Sequence, residues 1–126
     1  MKRIVLVTLA LLVTSPFVMS AQPGGKQTQQ SFDSFWLKFK AAVASADKEA
    51  LASMTELPFL YEGKELNKPA FIKAFGTIFD RRVQKCFPRA KPVKDGDYFA
   101  ISCGEAIFMF KKVNGEYRFV EIGVND

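Results

Sequence analysis

From Ser31 onward, apolar residues return every three or four positions: Phe32, Phe35, Trp36, Phe39 and Val43. That period puts them on one face of a helix, predicted to end near Ala46, with Lys38 and Lys40 largely off the stripe. Ser31 is its predicted N-cap. Asp47 caps a second, shorter helix, Lys48 to Met54, which buries Leu51. Leu57 to Tyr61 is apolar and too short for a helix, so it reads as a strand, with Pro58 suited to its first residues or an edge position. Glu62-Gly63-Lys64 is a turn. Asn67 then caps a third helix that tolerates Pro69 in its first turn. Phe71, Phe75, Ile78 and Phe79 form its buried stripe, and the helix is expected to continue through Val83 towards Phe87, with Pro88 as the latest stop.

The pattern changes to period two in the last third. Tyr98 to Cys103 follows an Asp95-Gly96-Asp97 turn, Gly104 breaks or bulges the run, and Glu105 to Val113 is a second strand. Asn114-Gly115 is a strong two-residue hairpin signal, and Glu116 to Val124 is the third strand. With that loop, Val113 faces Glu116, Phe110 faces Phe119 and Phe108 faces Glu121. Phe108, Phe110, Tyr117, Phe119 and Glu121 then share one face, and Ile107, Met109, Val120 and Ile122 the other. Both faces are substantially apolar. So few helices cannot cover two faces, which points to a homodimer through the outer one. Lys111 and Arg118 fall opposite each other there, a like-charge pair that calls for an acid, either Glu105 nearby or one from a partner.

The start of the chain has a different pattern. Met1-Lys2-Arg3 is cationic, Ile4 to Met19 is almost wholly apolar, and Val18-Met19-Ser20-Ala21 supplies small residues for cleavage. This reads as a secretory signal peptide over 1–21, with export to the periplasm or beyond. The run contains Pro16 and is short for a membrane span, so no span is expected in the mature form. Residues 22–30 read as a flexible lead-in, and 31–126 as one α+β domain. Removing 1–21 from the 126 residues leaves 105, enough for one real core. Of the 13 phenylalanines, all but Phe17 lie in that part.

Charge and cysteine narrow the chemistry. The formal net charge of +5 falls by two once Lys2 and Arg3 are removed. The distribution says more: Arg81, Arg82, Lys85, Arg89, Lys91 and Lys94 lie between Asp80 and Asp95 with no acid among them. They form either a solvated connecting segment or a site for an anionic partner, foremost an acidic protein; nucleic acid is not expected. The chain has no histidine, which removes Ser-His-Asp and Cys-His machinery and every His-containing metal site. No metal and no cofactor are expected. Cys86 and Cys103 are an even pair in an exported chain, which points to a disulfide; the spacing is not that of a redox motif.

The element order is helix, short helix, short strand, helix, then an antiparallel meander. With Phe35-Trp36 and Phe39 on the first helix, Ala46 to Leu51 opening the second, Phe71 to Phe79 on the third and Asn-Gly-Glu-Tyr-Arg-Phe at 114 to 119, the chain resembles the nuclear-transport-factor-2-like superfamily, also called cystatin-like α+β. The resemblance covers Ser31 to Asp126, with a reduced early hairpin at Phe59 to Leu66. It implies helices packed against a curved antiparallel sheet, with a pocket at the wide end. Members include isomerases, dehydratases and pure binding modules, so fold alone decides little.

Two functions follow as expectations. The first is an exported, non-catalytic binding module of the cell envelope, for a small apolar ligand or an acidic protein. Trp36, Tyr61, Phe108, Phe110 and Phe119 are its candidate pocket residues, though Trp36 also suits core packing. The alternative is an acid-base isomerase or dehydratase. There Glu121 would point into an aromatic cavity, and a tyrosine, Tyr117 foremost, would donate to a developing oxyanion.

Overall fold

A computed structural model describes residues 31–124; the predicted signal peptide at 1–21, the lead-in at 22–30 and the last two residues lie outside the described residues. The fold is α+β, with helices packed against a curved antiparallel sheet. The elements in order are α1 (Phe32–Ala44), α2 (Lys48–Ser53), β1 (Phe59–Tyr61), β2 (Lys64–Leu66), α3 (Lys68–Lys73), α4 (Phe75–Ile78), α5 (Arg81–Cys86), β3 (Val93–Asp95), β4 (Tyr98–Cys103), β5 (Ala106–Val113) and β6 (Glu116–Val124).

The helices start where polar residues cap them. Ser31 Oγ accepts from the Ser34 N–H at 3.2 Å, and Asp47 Oδ1 accepts from the Ala50 N–H at 3.1 Å. Asn67 Oδ1 likewise takes the Ala70 N–H at 3.0 Å. The expected long third helix is instead three short ones. Gly76 weakens the run, Phe79 leaves helical geometry at φ −110° and ψ 64°, and Asp80 starts a new helix by accepting from the Val83 N–H at 3.0 Å. The Gln84 side chain then donates to the Phe79 carbonyl at 2.9 Å. These breaks re-aim the chain, so that Phe71, Phe75, Phe79, Val83 and Phe87 all reach the core.

The main sheet has the order β3-β4-β5-β6, antiparallel throughout, and β1 and β2 form a separate hairpin. The sequence pattern does not announce β3, because Val93 is its one strand-forming residue. It is held by pairing Val93 with Ala100 and Asp95 with Tyr98. The free edge of β6 is closed by the segment after α2. There Phe119 donates to the Met54 carbonyl at 2.8 Å, and Glu56 donates to the Phe119 carbonyl at 2.9 Å.

The Asn114-Gly115 hairpin pairs Phe110 with Phe119, as its register predicts. Beyond that pair the register shifts. Met109 faces Glu121 and Phe108 faces Ile122, leaving Val120 as the extra residue of a bulge. The expected pairing of Phe108 with Glu121 is therefore corrected. One inserted residue sends Glu121 to the outer face and brings Ile122 to the inner one, where it packs on the core.

The core lies between α1 and the inner sheet face. The Phe39 ring sits 5.0 Å from Phe110, 5.6 Å from Phe119 and 5.9 Å from Phe79, all edge-on. Such aromatic pairs contribute about 0.5–1.5 kcal/mol beyond the area they bury.

Candidate functional site

The four large aromatics expected to line a pocket are packed core. Trp36, Phe108, Phe110 and Phe119 are buried in one hydrophobic cluster, so no cavity lies among them for a ligand. Trp36 packs edge-on against Phe87 and Phe110, at 5.0 and 5.7 Å, and its buried indole N–H has no acceptor among the described residues. The packing density that a core of this kind needs is what fills the expected pocket.

Tyr117 and Glu121 are also apart in role. Tyr117 stands on the inner face, its ring edge-on to Phe32 at 5.3 Å and to Phe99 at 5.8 Å. Glu121 is exposed on the opposite face, the consequence of the Val120 bulge. A carboxylate and phenol that were expected to share an aromatic cavity do not meet. The like-charged pair Lys111 and Arg118 is confirmed, and its acid is Glu116, whose carboxylate lies 2.8 Å from the Arg118 guanidinium. Arg118 also donates to the Ser53 carbonyl, which ties the sheet to the end of α2. Glu105, the expected acid, sits at the β4–β5 turn, at the other end of the sheet.

Tyr61 is half-buried in a cleft of about 420 Å³, lined also by Leu60, Glu62, Glu105, Ala106 and Ile122. Burial pushes its phenol above the ordinary tyrosine value, and the charges of Glu62 and Asp80 add to the shift.

The basic residues are brought together most clearly. Arg81 to Cys86 is helical, within the reach expected of the third helix, while Arg89 and Lys91 lie in the connection to β3; Arg82, Lys85 and Arg89 follow at steps of three and four. They line one shallow depression of about 560 Å³ with Cys86, Ala90 and Ser102. Arg81, Lys91 and Lys94 are exposed but lie outside it. Lys94 instead borders a second hollow with Lys111, Lys112 and Tyr117. None of the six cations from Arg81 to Lys94 is in an ion pair among the described residues. Val83 anchors α5 from below, and the Cys86–Cys103 disulfide ties it to β4 with 5.8 Å between Cα atoms. Sequence reasoning missed Ser102 as a wall of this ledge. Its place beside Cys103 was the available signal, since a bonded Cys86 must bring its own neighbours to β4.

No family model matches the chain, and no curated protein matches it. Among solved structures, the crystal structure of a de novo designed protein with a curved β-sheet is similar at 21% identity. The match covers 71% of this chain and 91% of that one, with a TM-score of 0.40. Among the described residues, no helix is long and apolar enough to cross a membrane.

Proposed function

We propose that this protein is an exported, non-catalytic binding module, similar in plan to the nuclear-transport-factor-2-like superfamily, that holds an acidic protein on the α5 ledge. The observation that carries the reading is the ledge itself. Arg82, Lys85 and Arg89 line one depression, none of them is in an ion pair among the described residues, and a disulfide fixes α5, which carries Arg82 and Lys85, to the sheet. Fixed cations lose less entropy on meeting a partner than mobile ones. The charge also raises the encounter rate with acidic surfaces. The filled interior and the exposed position of Glu121 favour this over a ligand or a reaction inside the fold. Export rests on residues 1–21.

The test is retention on immobilised poly-glutamate over a salt gradient. Surface attraction is screened within about 8 Å at physiological ionic strength, so binding should fall steeply as salt rises. The Arg82→Glu/Arg89→Glu variant should bind about tenfold more weakly, two exposed charges each contributing up to about 1 kcal/mol. Lys64→Glu/Lys73→Glu makes the same charge change away from the ledge and should bind like the parent. Equal weakening in both variants would reduce the ledge to a share of the net charge and sink the proposal.

A further inference from the structure

Two hairpins of this chain turn through loops with the same uncommon backbone, and the loops are filled differently. Both central residues have positive φ in each: 51° and 82° at Asn114-Gly115, 48° and 77° at Glu62-Gly63. Asn is among the few side chains that suit the first of these positions, and Glu is not. Glu62 therefore stands where the backbone favours another residue, and strain of this kind persists where a side chain serves a purpose. A second acid, Glu105, stands at another tight turn. Cys103 pairs with Ala106, so Gly104-Glu105 is the whole loop, with Gly104 at φ 64°. The disulfide at Cys103 fixes the start of that turn.

Both acids line the cleft of about 420 Å³ that Tyr61 borders, a volume in the range of small-molecule sites. The aromatic interior beside it is packed core, so the cleft is an opening at the rim. Its apolar walls include Leu60, Ile122 and Val124. Leu60 and Val124 are 62% and 70% exposed, two of four large hydrophobic residues left in water among the described residues. Burial first, then the charges of Glu62 and Asp80, hold the Tyr61 phenol above its ordinary value, so both carboxylates act on that group. An adjoining hollow of about 410 Å³ shares Glu105 with the cleft and adds Asp80 and Arg82. Arg82 is the one cation on the lining of either, and none of the three acids is in an ion pair among the described residues. In a chain of net charge +5, this local excess of acid sets the sign of the guest.

We infer that this cleft binds a small organic cation, an ammonium or quaternary ammonium group carried on an apolar body. The positive group sits by Glu62 and Glu105 against the Tyr61 ring, and the body rests on Leu60, Ile122 and Val124. Each part of such a guest answers one feature of the site. The carboxylates attract its charge, the aromatic ring accepts a cation that has no hydrogen to donate, and the exposed apolar walls leave water. An anionic guest of the same shape meets repulsion at the rim. A bare metal ion would find hydrocarbon where it needs further oxygen ligands, and no group of side chains suited to hold one occurs among the described residues. The α5 ledge carries the opposite charge and takes the opposite class of partner, so the two sites stand or fall separately.

The probe is hexyltrimethylammonium, titrated into the purified nitrogen-15-labelled protein while the backbone amide shifts are followed. A ligand of this size should bind with a dissociation constant of about 0.1–5 mM. The shifts should centre on Leu60 to Gly63, on Glu105 and Ala106, and on Ile122 to Val124. Hexanesulfonate has the same body and the opposite charge, and it should bind there at least about tenfold more weakly. Tetramethylammonium, which lacks the body, should also bind about tenfold more weakly. Glu105→Gln should weaken the parent's affinity about fivefold, the effect of one exposed charge. Glu62→Asn should weaken it as much and yet raise the midpoint of denaturant unfolding, because Asn suits the turn that Glu strains. The inference fails if the cation gives no saturable shift at the cleft, if hexanesulfonate binds there as well as the cation does, or if both variants bind like the parent.

Discussion

Tyr61 shows what a single side chain can report about this fold. Its phenol is held above the ordinary value chiefly by burial, with help from Glu62 and Asp80. The sign follows directly. The folded state favours the neutral phenol, whereas the unfolded chain ionises near pH 10. The stabilisation is fully present below about pH 10 and is lost as pH rises through the folded value. Denaturant unfolding between about pH 9 and 11.5 should therefore show stability falling faster in the parent than in Tyr61→Phe, which has no phenol to ionise. Parallel curves would mean that Tyr61 ionises in the fold as freely as in water. Other residues were legible from spacing alone. Phe32, Phe35, Trp36 and Phe39 are buried because one helical face must be, and their period shows it before any coordinates do. Trp36 as a pocket residue was the less economical reading of that same stripe.

At the scale of elements, the β5–β6 hairpin holds both the clearest success of sequence reading and its clearest failure. Asn114-Gly115 fixes the register as far as Phe110 and Phe119 because the turn geometry propagates outward from the loop. Past that pair, Val120 adds a residue, and alternation alone cannot reveal it: Val120, Glu121 and Ile122 read equally well in either register. The whole catalytic alternative depended on that one step. Deleting Val120 should remove the bulge and leave Glu121 opposite Met109 on the outer face and Ile122 opposite Phe108 on the inner one. The domain should stay folded and lose about 0.5–3 kcal/mol, read by denaturant unfolding, because no carboxylate is buried. A loss beyond about 4 kcal/mol would show that the bulge itself is needed to fit β6 to the core. The broken third helix has a similar origin. Its stripe fitted one long helix, but Asp80 is a better cap than an interior residue, and short helices follow the curved core more closely.

For the molecule as a whole, the disulfide joins stability to the proposed function. α5 has six residues and buries Val83 alone among them, so its own packing holds it weakly. The Cys86–Cys103 bond, across a sequence separation of 17, is what fixes it to β4. A loop of this length restricts the unfolded chain by about 3 kcal/mol in the chain-entropy model. Reduction should add two hydrogens to the intact mass and lower the melting temperature by about 12–24 °C, at roughly 4–8 °C per kcal/mol for a domain this small. It should also weaken retention on poly-glutamate, because α5 then samples positions in which Arg82, Lys85 and Arg89 no longer face one depression. Measuring all three under one reducing condition separates the roles of the bond. If melting falls but retention does not, the ledge is held by Val83 and Phe87 packing, and the bond serves stability alone.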